Sequence, residues 1–451
     1  MPEGDDTSSV FSAPAGPEKR RSPTAEDEAR PHPIICVWEL TLQCDLGCRH
    51  CGSRAGLPRA GELTTRECLA TVQQLADFGI REVALIGGEA YLRQDWHLIA
   101  AEVTRLGMDC SMTTGARQLN EERVAQAVEA GIKSISVSID GLEATHDALR
   151  GVQGSWRAAV EASRRIADTP IRLTTNTQIN RLSMPELPAL ADVLCDIKSE
   201  AWQIQLTAAM GRAGDRPDLL LQPYELLELF PLLVWIEQTK LTPNGIDLFP
   251  GNNIGYFGPW TLRTGAGNQS AAGWNGCSAG LWTLGLEADG KIKGCPSLQS
   301  VPYTGGNIRR DNLRAVVEQS PQLRVLRERT REDLWGFCYD CEHAEVCKAG
   351  CSWTSHSLFG RPGNNPYCIH RAIELEKSGK RERIALAEMA PGVPFDNGRY
   401  DLLEEDIPEG DAAPSIAGVD LAAVIAAGRE TRGLSETARM KSVLRKHQVP
   451  A

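Results

Sequence analysis

The sequence predicts an α/β fold: six βα units forming a parallel sheet with helices on its outer face, curved into an open barrel, and behind it a small cysteine-rich domain. Three observations predict it. Six strand-like runs alternate with helical stretches between residues 34 and 207, polar or glycine-bearing motifs close the runs, and seven of the 14 cysteines crowd together after residue 276. With 451 residues and 42% hydrophobic content, the chain is long enough for a barrel and a second domain.

Residues 1–33 are polar, charged and proline-rich, without the apolar core of a signal peptide or membrane span, and their composition predicts disorder. The first strand is the apolar run Ile34–Leu40. Glu82–Ile86, Asp109–Thr113, Ser134–Ile139, Arg172–Ile179 and Ala201–Thr207 follow as strands. Helical segments separate them near Thr64–Phe78, Trp96–Leu106, Glu121–Ala130, Trp156–Ala167 and Glu186–Ile197. Thr64 with Glu67 makes a capping box, and Gly79 and Gly131 stand where helices should stop. The barrel is expected over residues 34–208, a bridging region over 209–276, the cysteine-rich domain over 277–375, and a partly helical, partly disordered tail over 376–451. The bridge holds a helix near Tyr224–Thr239 and the glycine- and aromatic-rich run Pro250–Trp260, which reads either as a substrate-channel wall or as a loop pinned by its aromatics. In the tail, about Gly392 to Pro414 looks disordered and Val419–Lys446 shows a short helical pattern.

Directly after the first strand stand Cys44, Cys48 and Cys51, spaced C-x3-C-x2-C. Three thiolates on one short loop can hold three irons of a [4Fe–4S] cube and leave the fourth open to a small molecule. A structural zinc knuckle is the other reading of the loop, with His50 as its fourth ligand. The remaining motifs fall on strand ends, where a barrel of this kind does its chemistry: Gly87-Gly88-Glu89, Thr113-Thr114-Gly115, Ser138-Ile139-Asp140-Gly141, Asn176, and Gln205 with Thr207. Taken singly, each is an ordinary strand exit.

On these residues the chain resembles the radical S-adenosylmethionine (SAM) superfamily. The resemblance implies a partial (β/α)6 TIM-like barrel in which the open iron of the Cys44, Cys48, Cys51 cube chelates SAM. It further implies reductive cleavage of SAM to methionine and a 5′-deoxyadenosyl radical, which takes hydrogen from a substrate. Gly87, Gly88 and Glu89 match the family's GGE motif, which grips the methionine amino group, with Ala90 where the family usually has Pro. Thr114, Ser138, Asp140 and Asn176 are by the same resemblance polar contacts to SAM.

The second cysteine array runs Cys277, Cys295, then Cys338-x2-Cys341-x5-Cys347-x3-Cys351, then Cys368. It resembles the seven-cysteine SPASM signature of peptide- and protein-modifying radical SAM enzymes, which carries two auxiliary [4Fe–4S] clusters. The resemblance divides the ligands into Cys338, Cys341, Cys347 and Cys368 for one cube and Cys277, Cys295 and Cys351 for the other, making three clusters in all. Leu284–Lys293 reads as a β-hairpin turning at Asp289-Gly290, which brings Cys277 and Cys295 together. Zinc at the Cys338–Cys351 quartet is the alternative, while a disulfide scaffold is not expected of a cytoplasmic, reduced chain. Cys36, Cys68, Cys110 and Cys195 read as core thiols.

A net charge of −11 argues against a nucleic-acid partner, and no membrane partner is expected. The function expected is radical modification of a ribosomally made precursor peptide, with an external electron donor such as flavodoxin or ferredoxin. Many relatives carry an N-terminal module that grips the leader; its absence here would leave leader recognition to a separate protein, the 208–276 segment or the tail. Alternatives are anaerobic sulfatase maturation, against which Pro296 after Cys295 counts, a small-molecule substrate, and a non-catalytic electron carrier.

Overall fold

The computed structural model describes residues 23–258, 269–270, 273–274 and 276–408. Seven strands follow one another in parallel: β1 (Ile35–Thr41), β2 (Glu82–Gly87), β3 (Asp109–Thr114), β4 (Ser134–Ser138), β5 (Arg172–Ile179), β6 (Ala201–Leu206) and β7 (Asp247–Pro250). Between them lie α1 (Thr65–Phe78), α2 (Trp96–Arg105), α3 (Glu121–Glu129), α4 (Glu143–Arg150), α5 (Ser155–Ala167), α6 (Leu187–Asp196) and α7 (Leu226–Ile236). The Thr64/Glu67 capping box forms, and Gly79 closes α1 at φ +107°, a left-handed position that glycine adopts without steric penalty.

Strand alternation explains the shape. The outward residues of β2, β4, β5 and β6, such as Val83, Leu85, Ile135, Val137, Leu173, Trp202 and Ile204, are buried in the helical shell. Inward stand Ala84, Ile86, Ser134, Ser136, Thr174, Asn176, Gln203 and Gln205, all facing one cavity. A closed (β/α)8 barrel fills that space with layers of branched apolar side chains. Here the lumen is hollow and mixes polar with apolar side chains.

The cysteine-rich region is less separate from the barrel than its sequence suggests. Its hairpin forms as expected, with β8 (Thr283–Leu286) against β9 (Lys291–Lys293) and Gly290 in the turn at φ +87°. Strand β8 then lies parallel beside β1, pairing Ile35 with Thr283 through Trp38 with Leu286. With β10 (Thr304–Asn307) the sheet reaches ten strands, ordered β10-β9-β8-β1-β2-β3-β4-β5-β6-β7. A boundary at 276/277 therefore falls within one continuous sheet, as does one at 208/209, because β7 comes from the bridging region.

Three further expectations are corrected. Residues 25–29, within the segment expected to be disordered, form a one-turn helix capped by Thr24, and Asp27 there pairs with Arg81 at 2.6 Å. Helix α4 has no counterpart among the predicted elements. The tail contains an antiparallel hairpin, β11 (Lys380–Glu388) with β12 (Arg399–Asp406), so the predicted disorder from Gly392 fails as far as residue 408. Its charges hid it: Lys380–Asp406 (2.7 Å) and Arg381–Glu405 (2.8 Å) pair across the strands, while Ile384 and Tyr400 reach the core. The helical pattern at 419–446 and residues 1–22 lie outside the described residues. Buried Arg371, on the helix Ile369–Lys377, holds β11 through Glu382 at 2.6 Å. Replacing Glu382 by Ala strands that guanidinium, and chemical denaturation should show a loss of about 3 kcal/mol.

Candidate active site

The loop after β1 is fixed by its backbone. Cys44 N–H donates to Gly56 O and Gly56 N–H to Leu42 O, both at 3.0 Å. Gly47 and Arg49 donate to Arg150 O (3.0 Å) and Leu149 O (2.7 Å) at the end of α4, and Arg212 Nε donates to Cys48 O at 2.6 Å. The end of β2 comes so close that a Cβ on Gly87 would stand 2.1 Å from Thr41 O, and one on Gly88 2.0 Å from Gln43 O. What the two glycines of this motif admit is the cysteine loop itself.

The three sulfurs are ringed by donors. Leu46 N–H points at Cys44 Sγ and Ala55 N–H at Cys51 Sγ, each at 3.4 Å, and Arg150 Nη1 lies 3.8 Å from Cys48 Sγ. As free thiols Cys44 and Cys48 are held protonated: burial pushes Cys44 up to about 12 and Cys48 up to about 11. Coordination to a metal reverses that, since a ligating thiol loses its proton outright. Among the described residues no three cysteine sulfurs lie within 4.8 Å of one another, whereas sulfurs on one tetrahedral zinc stand about 3.8 Å apart. Nor does His50 gather with two of these sulfurs within 4.8 Å, and its Nε2 faces Asp140 Oδ2 at 3.1 Å. Spread thiols with sulfur-directed N–H groups fit the separate corners of an iron–sulfur cube.

Above the lumen the cavity, about 640 Å³, is lined by Cys44, Cys48 and Cys51 together with Gly87, Gly88, Glu89, Thr114, Ser138 and Asn176. Glu89 is 2% exposed and held only by neutral donors, the Thr114 hydroxyl and Gly115 N–H (2.6 Å). Burial pushes its carboxyl up to about 7, against the pull of those two bonds. Thr114 is thereby committed to Glu89. Asn176 Oδ1 is buried without a partner and its side chain lines the cavity, as a ligand-binding amide would.

Asp140 is placed differently from expectation. It has no exposure and does not line the cavity: its carboxylate takes Arg150 Nη2 at 2.6 Å, His50 at 3.1 Å and Gln178 N–H at 2.9 Å. Burial works against its charge, but Arg150 and His50 outweigh it and hold the carboxyl well below the usual range. Asp140 thus positions Arg150, the residue that reaches Cys48 and that no spacing rule singles out. The sequence reading also missed Phe395, which lies over Lys293 Nζ at 4.5 Å and joins the cavity wall, and its neighbour Asp396, which takes Arg54 Nε at 2.7 Å. In the run Pro250–Trp260, residues 250–252 line the cavity and Tyr256 pins the loop, its hydroxyl accepting Cys351 N–H at 3.0 Å, while residues 259 and 260 lie outside the described residues.

The seven C-terminal cysteines fall into two groups. Cys338, Cys341, Cys347 and Cys368 line a second, smaller cavity. Cys277, Cys295 and Cys351 form the other: burial first, then the two neighbouring thiols, pushes Cys351 up to about 12. Cys351 also packs with Cys347 and Cys368 in the cluster around Tyr256.

Comparison with known proteins agrees. The radical SAM superfamily model matches residues 38–187. The AdoMet-dependent heme synthase of Methanosarcina barkeri is 30% identical over 355 residues, 75% of this chain and 97% of that protein. The chain belongs to the radical SAM superfamily. As a radical SAM enzyme it uses SAM and an iron–sulfur cluster. The mycofactocin maturase MftC of Mycobacterium ulcerans is 28% identical over 366 residues, 78% of this chain and 93% of that protein. SuiB of Streptococcus suis bound to S-adenosylmethionine shares the fold, with a TM-score of 0.59 at 15% identity over 76% of this chain and 78% of that one. No helix among the described residues is long and apolar enough to cross a membrane.

Because Gly88 admits the loop backbone, Gly88→Ala should lower the iron held per chain after anaerobic reconstitution, with far-UV circular dichroism unchanged. Full iron loading of that variant would show that the close approach is dispensable.

Proposed function

We propose that this radical SAM enzyme modifies a ribosomally made peptide, using three [4Fe–4S] clusters. Cys44, Cys48 and Cys51 would hold the first; Cys338, Cys341, Cys347 and Cys368 a second; and Cys277, Cys295 and Cys351 a third. When bound, the first supplies the electron that splits SAM into methionine and a 5′-deoxyadenosyl radical able to take hydrogen from a substrate. Among the chain's own groups, Glu89 carries the reading furthest: a fully enclosed carboxylate in the wall beside the cysteine loop, touched by no cation. An amino-acid ammonium completes it, adding charge-assisted hydrogen bonds where only neutral donors now stand. Ser138 and Asn176 offer a hydroxyl and an amide to the rest of SAM, and Arg150 holds the Cys48 side of the loop.

The substrate class is argued from the same wall. Asn176 and Gln178 on β5 stand in register with Gln203 and Gln205 on β6, and all four side chains line the cavity. Amides match the donors and acceptors of a peptide backbone. A second reading, a tetrapyrrole substrate, is favoured by the heme synthase relative, with its 30% identity. Carboxylate-bearing tetrapyrroles call for cations, yet Arg150, Arg172 and Lys293 in the wall are each tied to a carboxylate, and Lys133 stands at the far end, beside the first residue of β4. Co-expression with a short reading frame neighbouring the gene should yield a peptide of altered mass; an altered tetrapyrrole and an unchanged peptide would overturn the proposal.

Two further outcomes are expected. Iron should approach about 12 per chain and fall to about 8 when Cys44, Cys48 and Cys51 are all replaced by Ala, with loss of 5′-deoxyadenosine formation. Glu89 is neutral below its pKa of about 7 and anionic above it, so SAM should bind more tightly as pH rises from 6 to 8. Glu89→Gln should weaken binding about tenfold or more at pH 8 and flatten that dependence, as equilibrium dialysis would record.

A further inference from the structure

Apart from the main core, the described residues form four small apolar clusters, all carrying cysteines of the proposed centres; one surrounds Cys338, and the other three share a neighbour. One comprises Leu42, Ala55, Met210 and Phe395, with Cys44 and Cys51 packed against it. The next is Ala279, Leu298, Tyr303 and Leu326, with Cys277 and Cys295. The third is Tyr256, Trp274 and Cys351, with Cys347 and Cys368. Trp353 packs against all three, and among the described residues no other side chain does so. Its place follows from the chain: Cys351 caps the helix Ser352–Phe359, and Trp353 stands in that helix's first turn. Arg329 fixes the turn from below, with Nη2 on Ser352 Oγ at 2.7 Å and Nη1 on Lys348 O at 3.1 Å. On the barrel side the Trp353 indole N–H lies 2.9 Å from Met210 Sδ.

From this we infer that Trp353, through Met210, is the route by which electrons pass between the iron–sulfur centre of the cysteine loop and the auxiliary centres. The inference rests on the three-centre reading above. An electron crossing protein needs packed atoms rather than gaps, and an indole against a soft, polarizable thioether supplies an unbroken contact from the cluster around the cysteine loop to those around the auxiliary cysteines. The step itself is simple. One reduced auxiliary centre goes from the 1+ to the 2+ state, the loop centre goes from 2+ to 1+, and no bond or proton changes hands.

The test begins with enzyme fully reduced by dithionite and then freed of it. SAM is added and samples are frozen at intervals for electron paramagnetic resonance. SAM cleavage drains the loop centre first, and the auxiliary signals then fade only as their electrons arrive there. The ratio of the two decay rates within each sample cancels any change in SAM binding. In Trp353→Leu the auxiliary decay should slow by about tenfold or more relative to the first. Trp353→Phe should restore much of it, and Met210→Leu, which keeps the side chain's size but loses the sulfur, should slow it as well. An unchanged ratio in both leucine variants would overturn the route, as would auxiliary signals in the native enzyme that never decay. An iron content of about 4 per chain in the native enzyme would instead bring down the three-centre reading beneath it. Should Trp353→Leu fail to load iron, Met210→Leu alone decides.

Discussion

Everything at this site depends on how closely backbone is allowed to approach the cysteine loop. Four glycines from three other parts of the chain press on it: Gly87 and Gly88 at the end of β2, Gly151 after α4, and Gly211 in the bridging segment. A Cβ at any of them would lie 2.0 to 2.5 Å from a carbonyl oxygen of residues 41 to 52. Side chains therefore cannot intervene, and the loop is held by main-chain contact on several sides. Thiols mounted this way have little freedom to collapse onto a single ion or onto each other, which favours the large, rigid guest over the small one.

Within that frame two buried carboxylates divide the electrostatic work. Asp140 is enclosed with Arg150 and His50 and stays charged; Glu89 is enclosed with neutral donors and is poised near neutrality. The difference lies in the partners and not in the depth of burial. One carboxylate is spent on architecture, keeping a guanidinium beside Cys48. The other is an unmet demand for positive charge in the cavity wall, and a pocket advertises its ligand most clearly through such a demand.

Much of this was legible in the sequence. Strand and helix periods placed β1 to β6 to within a residue or two, because each strand buries its outer face under the helices and the helices are amphipathic. The cysteine spacings were legible because they are local. What escaped was long-range or masked by charge. Nothing in Thr283–Leu286 says that it will lie beside β1, since a parallel partner leaves no mark in either strand. The alternation in β11 and β12 was concealed by cross-strand ion pairs that mimic a disordered, charged tail, and Phe395 and Asp396 went with it. Asp140 sits at the right strand end, but only the position of Arg150 ten residues later shows which way its carboxylate is engaged.

The hollow lumen has a consequence for descent. In a barrel whose centre is packed, the inward residues are bound to the stability of the whole, and altering one disturbs its layer. Here the stabilising contacts lie outside, between strands and helices, and the inner faces of β4, β5 and β6 carry serines, threonines and amides with few neighbours to upset. Such positions are free to drift. A lineage can exchange them one at a time, keep its folding intact, and acquire a different guest. That freedom gives a physical reason why proteins named as a heme synthase and as a mycofactocin maturase both align with this one chain along most of its length.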